Sequence, residues 1–378
     1  MPGREPSPSR LPFVQDSIDD QLGRLATQEG WQDWLLAAGR FPDLSLDNQL
    51  AVCAQWRAGM SQVASFDRWK TMGRTVNKGE HAIWLKVPDK IGLEAVMPDG
   101  TSRPLADIAA PTSTDETVIM RPVSFKAVPV FDVAQTTGQP VPVTPATLDD
   151  TMQAILAVRD GLQAFAHEAG FSAVWLDPEL TTCGRIDWTN HVIVTTGRYT
   201  DIETQTYDLA HQAAHLQLGA DPGLIGPDLA VWDGWGDIPE IQADAVAYLL
   251  FTQAGLHPHE LQDYNGERLD AHWAGIAAVH DSFGLEGSQR WARITAQQVL
   301  NVTNQIVDRV LPVRVDPIAA SVARDLWNSL SSAPDSPIAA AIAAQQTSAA
   351  TAQAAATLPQ QPATAPVVAA APATGLHM

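Results

Sequence analysis

The sequence lacks long apolar runs and a cysteine framework. No run approaches the roughly 18 apolar residues that span a bilayer, and residues 1–8 contain no apolar segment typical of a secretory signal. Two cysteines among 378 residues give no disulfide scaffold. We therefore expect a cytoplasmic protein that does not enter the membrane and is long enough for two domains, each with its own core.

Positive charge is also scarce. The formal net charge of −20 argues against a protein that coats nucleic acid with its whole surface. The charge is uneven, because residues 1–140 hold 14 Lys/Arg and 17 Asp/Glu, which leaves 9 and 26 for the remainder. Residues 56–90 contain seven basic residues and three acidic ones. This basic island is the place where a contact with nucleic acid is expected.

Composition divides the chain into five segments. Residues 1–14, and the Ala/Pro/Gln/Thr-rich residues 331–378, lack periodicity and are predicted to be disordered. Residues 139–148 form a Pro-rich linker between a first domain over residues 15–138 and a second over residues 149–330. We predict an α+β fold, with a small α+β first domain and a mainly helical second domain.

Helices followed by strands are predicted for the first domain. Helical spacing of apolar residues runs through 18–25 and again through 31–36, and a further helix is predicted within 45–56. Apolar residues follow one another in 82–87 with little alternation with polar ones, which predicts a strand covered on both faces. Residues 123–133 are again predicted to form a strand. The Pro/Gly/Asp/Thr-rich segment 89–122 is predicted to be a long loop or an insertion.

Three groups of residues in the first domain share their spacing with a known family. They are Asn48 with Trp69, the run Gly73-Arg74-x-Val76-x-Lys78-Gly79-Glu80, and the run Val130-Phe131-Asp132-Val133-x-Gln135-Thr136. This combination resembles the N-terminal domain of ArdC-type antirestriction proteins, which are carried by plasmids and phages. The resemblance implies binding of single-stranded DNA. The interval 89–122 departs from the family pattern.

The basic island supplies the candidate contacts. Unpaired bases expose π faces on which aromatic side chains stack at roughly 1–3 kcal/mol per base, while Arg and Lys meet phosphates. The candidates for contact with single-stranded DNA are Asn48, Arg57, Phe66, Arg68, Trp69, Lys70, Arg74, Lys78, Trp84 and Lys86. The alternative for Trp69 and Trp84 is a place in the core of a small α+β domain.

Two histidines four residues apart lie in a predicted helix of the second domain. His211 and His215 leave one helix face a turn apart, a spacing that suits one metal ion. Glu240 and Asp244 are also one turn apart, on a second predicted helix. A carboxylate from a second helix can complete a three-ligand site, and a further acid can orient a histidine. The alternative is a helix whose histidines only fill polar positions.

The run His211-Gln212-x-x-His215, followed by Glu240-x-x-Ala243-Asp244, resembles ImmA/IrrE-like gluzincin domains, which often follow an ArdC-type N-terminal domain. The resemblance implies that His211, His215 and Glu240 bind Zn²⁺ and that Asp244 is the acid behind the ligands. Gln212 stands where the family has its glutamate general base. An amide cannot take a proton from a metal-bound water at neutral pH, so no residue is assigned as catalytic.

Three functions remain open. The first is a mobile-element antirestriction-type protein that binds single-stranded DNA, with a non-catalytic metal-binding zincin-like domain and a restriction endonuclease or another host protein as a further partner. The second is an active zinc metallopeptidase in which another residue replaces the base. The third is an acidic DNA mimic that inhibits restriction enzymes. Charged residues are only 17% of the chain, which is few for closely spaced carboxylates and ranks the mimic last.

Overall fold

The structure is a computed structural model in which both helices and sheets are present, as predicted. It describes residues 9–56, 60–97, 102–105, 117–141, 148–175, 184–195, 201–219, 237–256 and 261–311. Most of the two predicted disordered ends and most of the predicted linker lie outside these ranges. None of the helices within them is both long enough and apolar enough to cross a membrane.

Three helices form the first part of the described chain. They are α1 (Leu11–Leu25), α2 (Gln28–Arg40) and α3 (Leu46–Ala54). Thr27 caps α2 and Ser45 caps α3, because the hydroxyl of each accepts a backbone N–H from the first turn. The apolar stripes of these helices are buried, and the rings of Trp31 and Trp34 meet with their centroids 4.8 Å apart.

Six strands in two sheets, and one short helix, follow the first helices. Its elements are β1 (Val63–Ala64), α4 (Phe66–Thr71), β2 (Arg74–Val76), β3 (Ile83–Val96), β4 (Ser102–Leu105), β5 (Thr117–Asp132) and β6 (Thr136–Gly138). The main sheet has the order β1-β5-β3-β4 with antiparallel pairs, and β2 pairs with β6. The predicted cover on both faces of residues 82–87 agrees with the first part of β3, where Ile83 and Leu85 are buried on one side and Trp84 packs against the main core.

The prediction of a long loop over residues 89–122 is wrong for much of its length. β3 and β5 stay paired from Ile83–Val130 as far as Val96–Thr117. Irregular register near Pro88 and Lys90 accommodates residues that composition assigns to loops. Pairing between distant strands is a tertiary property, so the composition of one segment does not reveal it.

The second part has the predicted order of a helix, short strands and further helices. Its elements are α5 (Leu148–Glu168), β7 (Ser172–Trp175), β8 (Arg185–Asp187), β9 (Val192–Thr195), α6 (Ile202–Leu218), α7 (Asp237–Gln253) and α8 (Leu261–Val310). β9 lies in the centre of its small sheet, parallel to β7 and antiparallel to β8.

One hydrophobic core joins the two predicted domains. Ile18, Trp34 and Leu50 from the first three helices belong to the same buried cluster as Leu162 of α5 and Phe251 of α7. Residues on both sides of the predicted linker at 139–148 therefore contribute to this one cluster. The physical reason is that α1, α2 and α3 bury their apolar stripes against later helices as well as against one another.

Candidate metal centre and nucleic-acid surface

Helix α6 is buried along most of its length. The side chain of Asp201 accepts the N–H of Thr204 at its start, and Gly219 ends it in the left-handed conformation with φ of 65°. Every residue from Thr206 to His215 is buried. Polar side chains buried in this way require partners, so the histidines are expected to be held by other groups.

The side chains of His211, His215 and Glu240 converge on one point. His211 Nε2 lies 2.9 Å from His215 Nε2 and 3.4 Å from Glu240 Oε2, and His215 Nε2 lies 3.3 Å from Glu240 Oε1. When zinc lies about 2.0–2.1 Å from nitrogen and oxygen ligands in a tetrahedron, neighbouring ligand atoms are about 3.3 Å apart. The donor set and its spacing therefore fit a metal ion between the two helices.

Asp244 lies behind His211. Its Oδ1 is 2.7 Å from His211 Nδ1, and the hydroxyl of Tyr207 donates to its backbone carbonyl oxygen at 3.2 Å. A carboxylate at this place accepts the Nδ1–H, so Nε2 is the nitrogen of His211 that faces the other two ligand side chains. α6 and α7 are thus tied together at the site by side chains of both helices.

The charges of the group are strongly coupled. Burial alone would lower the pKa of His211, but the carboxylates of Asp244 and Glu240 raise it to about 9. Burial alone would raise the pKa of Glu240, but the two histidines hold it well below its ordinary value. Positive charge is therefore favoured among these side chains, and a divalent cation supplies it in exchange for protons.

Two further polar residues lie on the same buried helix. Gln212, at the position of the expected base, is 5% exposed, and its amide has no basic atom. Asp208, one turn earlier, is buried, and a Cβ at Gly184 would clash with its carboxylate. A side chain at position 184 would therefore have to displace the carboxylate of Asp208. Asp208 lies four residues before Gln212 and seven before His215, and this spacing is the sequence signal that places Asp208 on the same helix face.

Some of the predicted DNA contacts serve the interior of the fold. Trp69 is fully buried and donates its Nε1–H to the carbonyl of Phe131 at 2.8 Å. It therefore offers no ring face to a base, and the alternative of a core residue holds for Trp69. The amide of Asn48 is hydrogen-bonded to both the backbone N–H and the carbonyl of Lys86, at 2.8 and 2.9 Å.

Arg74 is also used within the protein. Its Nε donates to Thr136 Oγ1 at 2.7 Å, and Nη2 donates to the carbonyl of Thr136 at 2.9 Å. Nη1 donates to the carbonyl of Gln139, and the guanidinium lies 5.9 Å from the ring centroid of Trp69. The guanidinium thus joins β2, β6 and the buried tryptophan.

Lys86 and Trp84 are partly committed to other contacts. Lys86 Nζ lies 3.1 Å from Asp47 Oδ2 and 3.0 Å from Gln15 Oε1, and its side chain is 16% exposed. Trp84 is half-buried, and the guanidinium of Arg10 lies 5.8 Å from the centroid of its ring. Both side chains are therefore in contact with other groups of the protein.

The run around Asp132 is a hydrogen-bond network. The carboxylate of Asp132 accepts the backbone N–H groups of Ser61, Gln62 and Ala134 at 2.9–3.1 Å. Gln135 accepts the N–H of Asp132 through Oε1. Its Nε2 donates at 2.9 Å to the carboxylate of Glu80 and to the carbonyl of His81. Residues of the motif that resembles ArdC-type proteins therefore connect the end of β5 with the segments around Ser61 and Glu80 by hydrogen bonds.

The accessible part of the predicted surface is α4 and the turn after β2. Phe66 is 50% exposed, Lys70 follows it one turn later on the same face, and both Lys70 and Lys78 are exposed. Arg68 is half-buried, and Arg57 lies outside the described residues. An exposed aromatic ring beside a lysine can stack on a base and contact a phosphate.

Comparison with solved structures shows a similarity to an antirestriction protein. No protein-family model and no curated protein matches the chain. The chain is similar to the metal-free crystal structure of the antirestriction protein ArdC from the R388 plasmid, with 15% identity, 68% of this chain and 85% of that chain covered, and a TM-score of 0.33. For the Mn(II)-bound structure of the same protein the values are 14%, 70%, 84% and 0.36.

Proposed function

We propose that this chain is an antirestriction-type protein that binds single-stranded DNA and carries a zincin-like metal centre without peptidase activity. The observation that carries the metal centre is the convergence of His211, His215 and Glu240, with Asp244 holding His211 from behind. The antirestriction role rests on the sequence resemblance to ArdC-type proteins. A restriction endonuclease or another host protein remains the proposed further partner.

Each residue of the metal centre has a defined part. The imidazoles of His211 and His215 and the carboxylate of Glu240 hold the ion, and Asp244 keeps the Nδ1–H of His211 in place. A bound divalent ion would supply a Lewis-acidic positive charge. Gln212 can donate or accept a hydrogen bond, but it cannot remove a proton at neutral pH. Peptide hydrolysis is therefore not part of the proposed function.

Zinc is the proposed ion. Two imidazoles at i and i+4 with a carboxylate from another helix form a three-ligand set that zinc takes readily, leaving one coordination position open. Manganese and iron also bind imidazole and carboxylate, so the metal is decided by competition rather than by the donor atoms alone.

Metal analysis of the full chain tests the centre. After exposure to equimolar Zn²⁺ and Mn²⁺ and removal of excess metal, we expect one equivalent of Zn²⁺ per chain and none in His211→Ala. His167→Ala is the matched control, because this exposed histidine on α5 is not one of the three ligands. A native chain that retains neither metal would refute the centre, and one that retains Mn²⁺ would refute zinc.

Three observations support the binding of single-stranded DNA. The basic island sets residues 56–90 apart from an otherwise acidic chain. The motif residues resemble a family of single-stranded-DNA binders. Phe66 and Lys70 place an aromatic ring and a positive charge together on the surface of α4. We propose that this helix face and Lys78 make the contacts.

Fluorescence anisotropy with a labelled oligonucleotide tests this contact. Affinity should fall with salt at a log–log slope of about −0.7 per phosphate contacted. Loss of one stacking ring weakens binding by roughly 1–3 kcal/mol, so Phe66→Ala should raise Kd about 5- to 150-fold. Phe13→Ala is the control, because Phe13 is 48% exposed but lies on α1. Absent or salt-insensitive binding by the native chain would contradict the proposal.

The DNA-mimic function is distinguished by the same variants. A mimic competes with DNA for an endonuclease through its own acidic surface, so loss of Phe66 and Lys70 should not affect competition. A Phe66→Ala/Lys70→Ala chain that no longer binds single-stranded DNA, yet still displaces duplex DNA from a restriction endonuclease, would favour the mimic.

A further inference from the structure

Asp47, in the first turn of α3, is paired with basic residues of two other elements. Its Oδ1 accepts a hydrogen bond from Arg293 Nη1 of α8 at 2.6 Å, and its Oδ2 accepts one from Lys86 Nζ of β3 at 3.1 Å. Lys86 also donates to Gln15 of α1. We name Gln15, Asp47, Lys86 and Arg293 the Asp47 junction. It joins the basic island to a helix of the second predicted domain.

The residue after Asp47 strengthens the link to β3. The amide of Asn48 pairs with both backbone groups of Lys86. Charged and neutral hydrogen bonds from two successive residues of α3 thus meet one residue of the strand. A displacement of α3 would have to break them together, so α3 and β3 are expected to move as one body.

The metal ligands reach the Asp47 junction through α7 and α8. α7 carries Glu240 and Asp244, and Gln242 between them donates to Gln298 of α8 at 2.7 Å. Arg293 lies between one and two turns earlier on α8. A second route runs from α7 to α2, where a Cβ at Gly39 would lie 2.9 Å from Thr252 Cγ2. The shared hydrophobic core fills the space between these helices.

We propose that the metal centre is thermodynamically linked to the first predicted domain, which contains the basic island, through α7, α8 and the Asp47 junction. Metal binding then stabilises α3 and β3 together with α6 and α7. This linkage rests on the metal binding proposed above. A ligand that binds only the folded unit lowers the population of every opening that destroys its site. Because the core and the junction join the two halves, openings of α3 and β3 belong to that set.

Hydrogen exchange on the full chain measures the linkage. The chain is stripped with EDTA and compared with and without Zn²⁺ at about 100 times Kd, where the open population falls about 100-fold. The slowest amides of residues 46–56 and 83–90 should slow by the same factor as those of 201–218 and 237–253. Slowing confined to the last two ranges would overturn the linkage. Absence of bound metal, with no slowing anywhere, would instead overturn the metal centre.

Arg293→Gln tests the route through the Asp47 junction. This change removes one ion pair of Asp47 and leaves the metal ligands in place. We expect one equivalent of metal and an unchanged gain of protection in α6 and α7, but a roughly two- to fivefold smaller gain in α3 and β3, because a partly exposed ion pair contributes modestly beside the shared core. Arg290→Gln, at an exposed position on the same helix, is the control and should behave as the native chain. Equal gains in both variants would show that the junction does not carry the linkage.

Discussion

His211 Nδ1 lies 2.7 Å from Asp244 Oδ1, although the two residues are 33 positions apart and on different helices. This contact fixes which nitrogen of the imidazole carries the proton and therefore which nitrogen is free to bind a metal. The histidines of α6 form a candidate metal site because α7 places Asp244 next to Nδ1 of His211 and Glu240 next to its Nε2.

Asp244→Ala should weaken metal binding without removing a ligand. Partners behind metal-bound histidines typically contribute 10- to 100-fold to affinity, so Kd for Zn²⁺ should rise by about that factor. Competition with a chromophoric chelator measures the change. Asp160→Ala, at an exposed position of α5, should leave Kd unchanged. An unaltered Kd for Asp244→Ala would mean that His211 is oriented by other contacts.

Gln212→Glu should show more metal-dependent proteolysis than the native chain. A glutamate at this position restores a base able to take a proton from metal-bound water. Release of peptides from an unfolded protein substrate, with and without a chelator, measures the effect. Gln212→Ala should stay inactive. If the native chain already hydrolyses the substrate and Gln212→Glu changes little, the chain is a working peptidase with a different base.

Arg74→Lys should lower the free energy of unfolding and have a smaller effect on the free energy of DNA binding. Lysine cannot reproduce the guanidinium contacts with Thr136 and the neighbouring carbonyls, and each lost charged hydrogen bond contributes about 1.5–3 kcal/mol. The free energy of unfolding in urea should therefore fall by a similar amount. Lys70→Ala should do the opposite, weakening oligonucleotide binding with little change in stability. Weaker binding by Arg74→Lys at unchanged stability would place Arg74 in contact with DNA.

Asp47→Asn should destabilise the chain at neutral pH but not in acid. Burial alone would raise the pKa of Asp47, yet Arg293 and Lys86 lower it below its ordinary value. A carboxyl with a lowered pKa in the folded state contributes stability that is present above its unfolded pKa, near 3.8. That contribution is lost as the pH falls through the folded pKa.

Urea titrations at pH 7 and at progressively lower pH test this sign. At pH 7 the native chain should exceed Asp47→Asn by about 1.5–3 kcal/mol in free energy of unfolding. The difference should shrink as the pH falls below 3.8. Asp20→Asn, at an exposed position on α1, should differ from the native chain by less than about 0.5 kcal/mol at neutral pH. A difference that grows in acid would contradict the ion pairing of Asp47.

Local sequence patterns predicted the elements more successfully than their associations. The helical spacing around Trp34, the covered strand at 82–87 and the helix of His211 all follow from periodicity that one segment contains. The strands at 89–96 and 117–122 do not follow from their own composition, because they are stabilised by pairing with each other across many residues of intervening chain. The roles of Trp69 and Arg74 could not be predicted in this way. An aromatic and basic composition does not show whether a side chain is available to a ligand or contacts other residues of the protein.

The sequence by itself determined the histidine spacing, the glutamine at the base position and the basic island, because each is a property of neighbouring residues. Only the tertiary structure decided that Glu240 and Asp244 approach His211 from opposite sides and that the family-like motif is a hydrogen-bond scaffold. It also joined the two predicted domains through one core and through Asp47. The physical reason is that burial and ion pairing depend on which elements pack together, and periodicity within one element does not specify its partner.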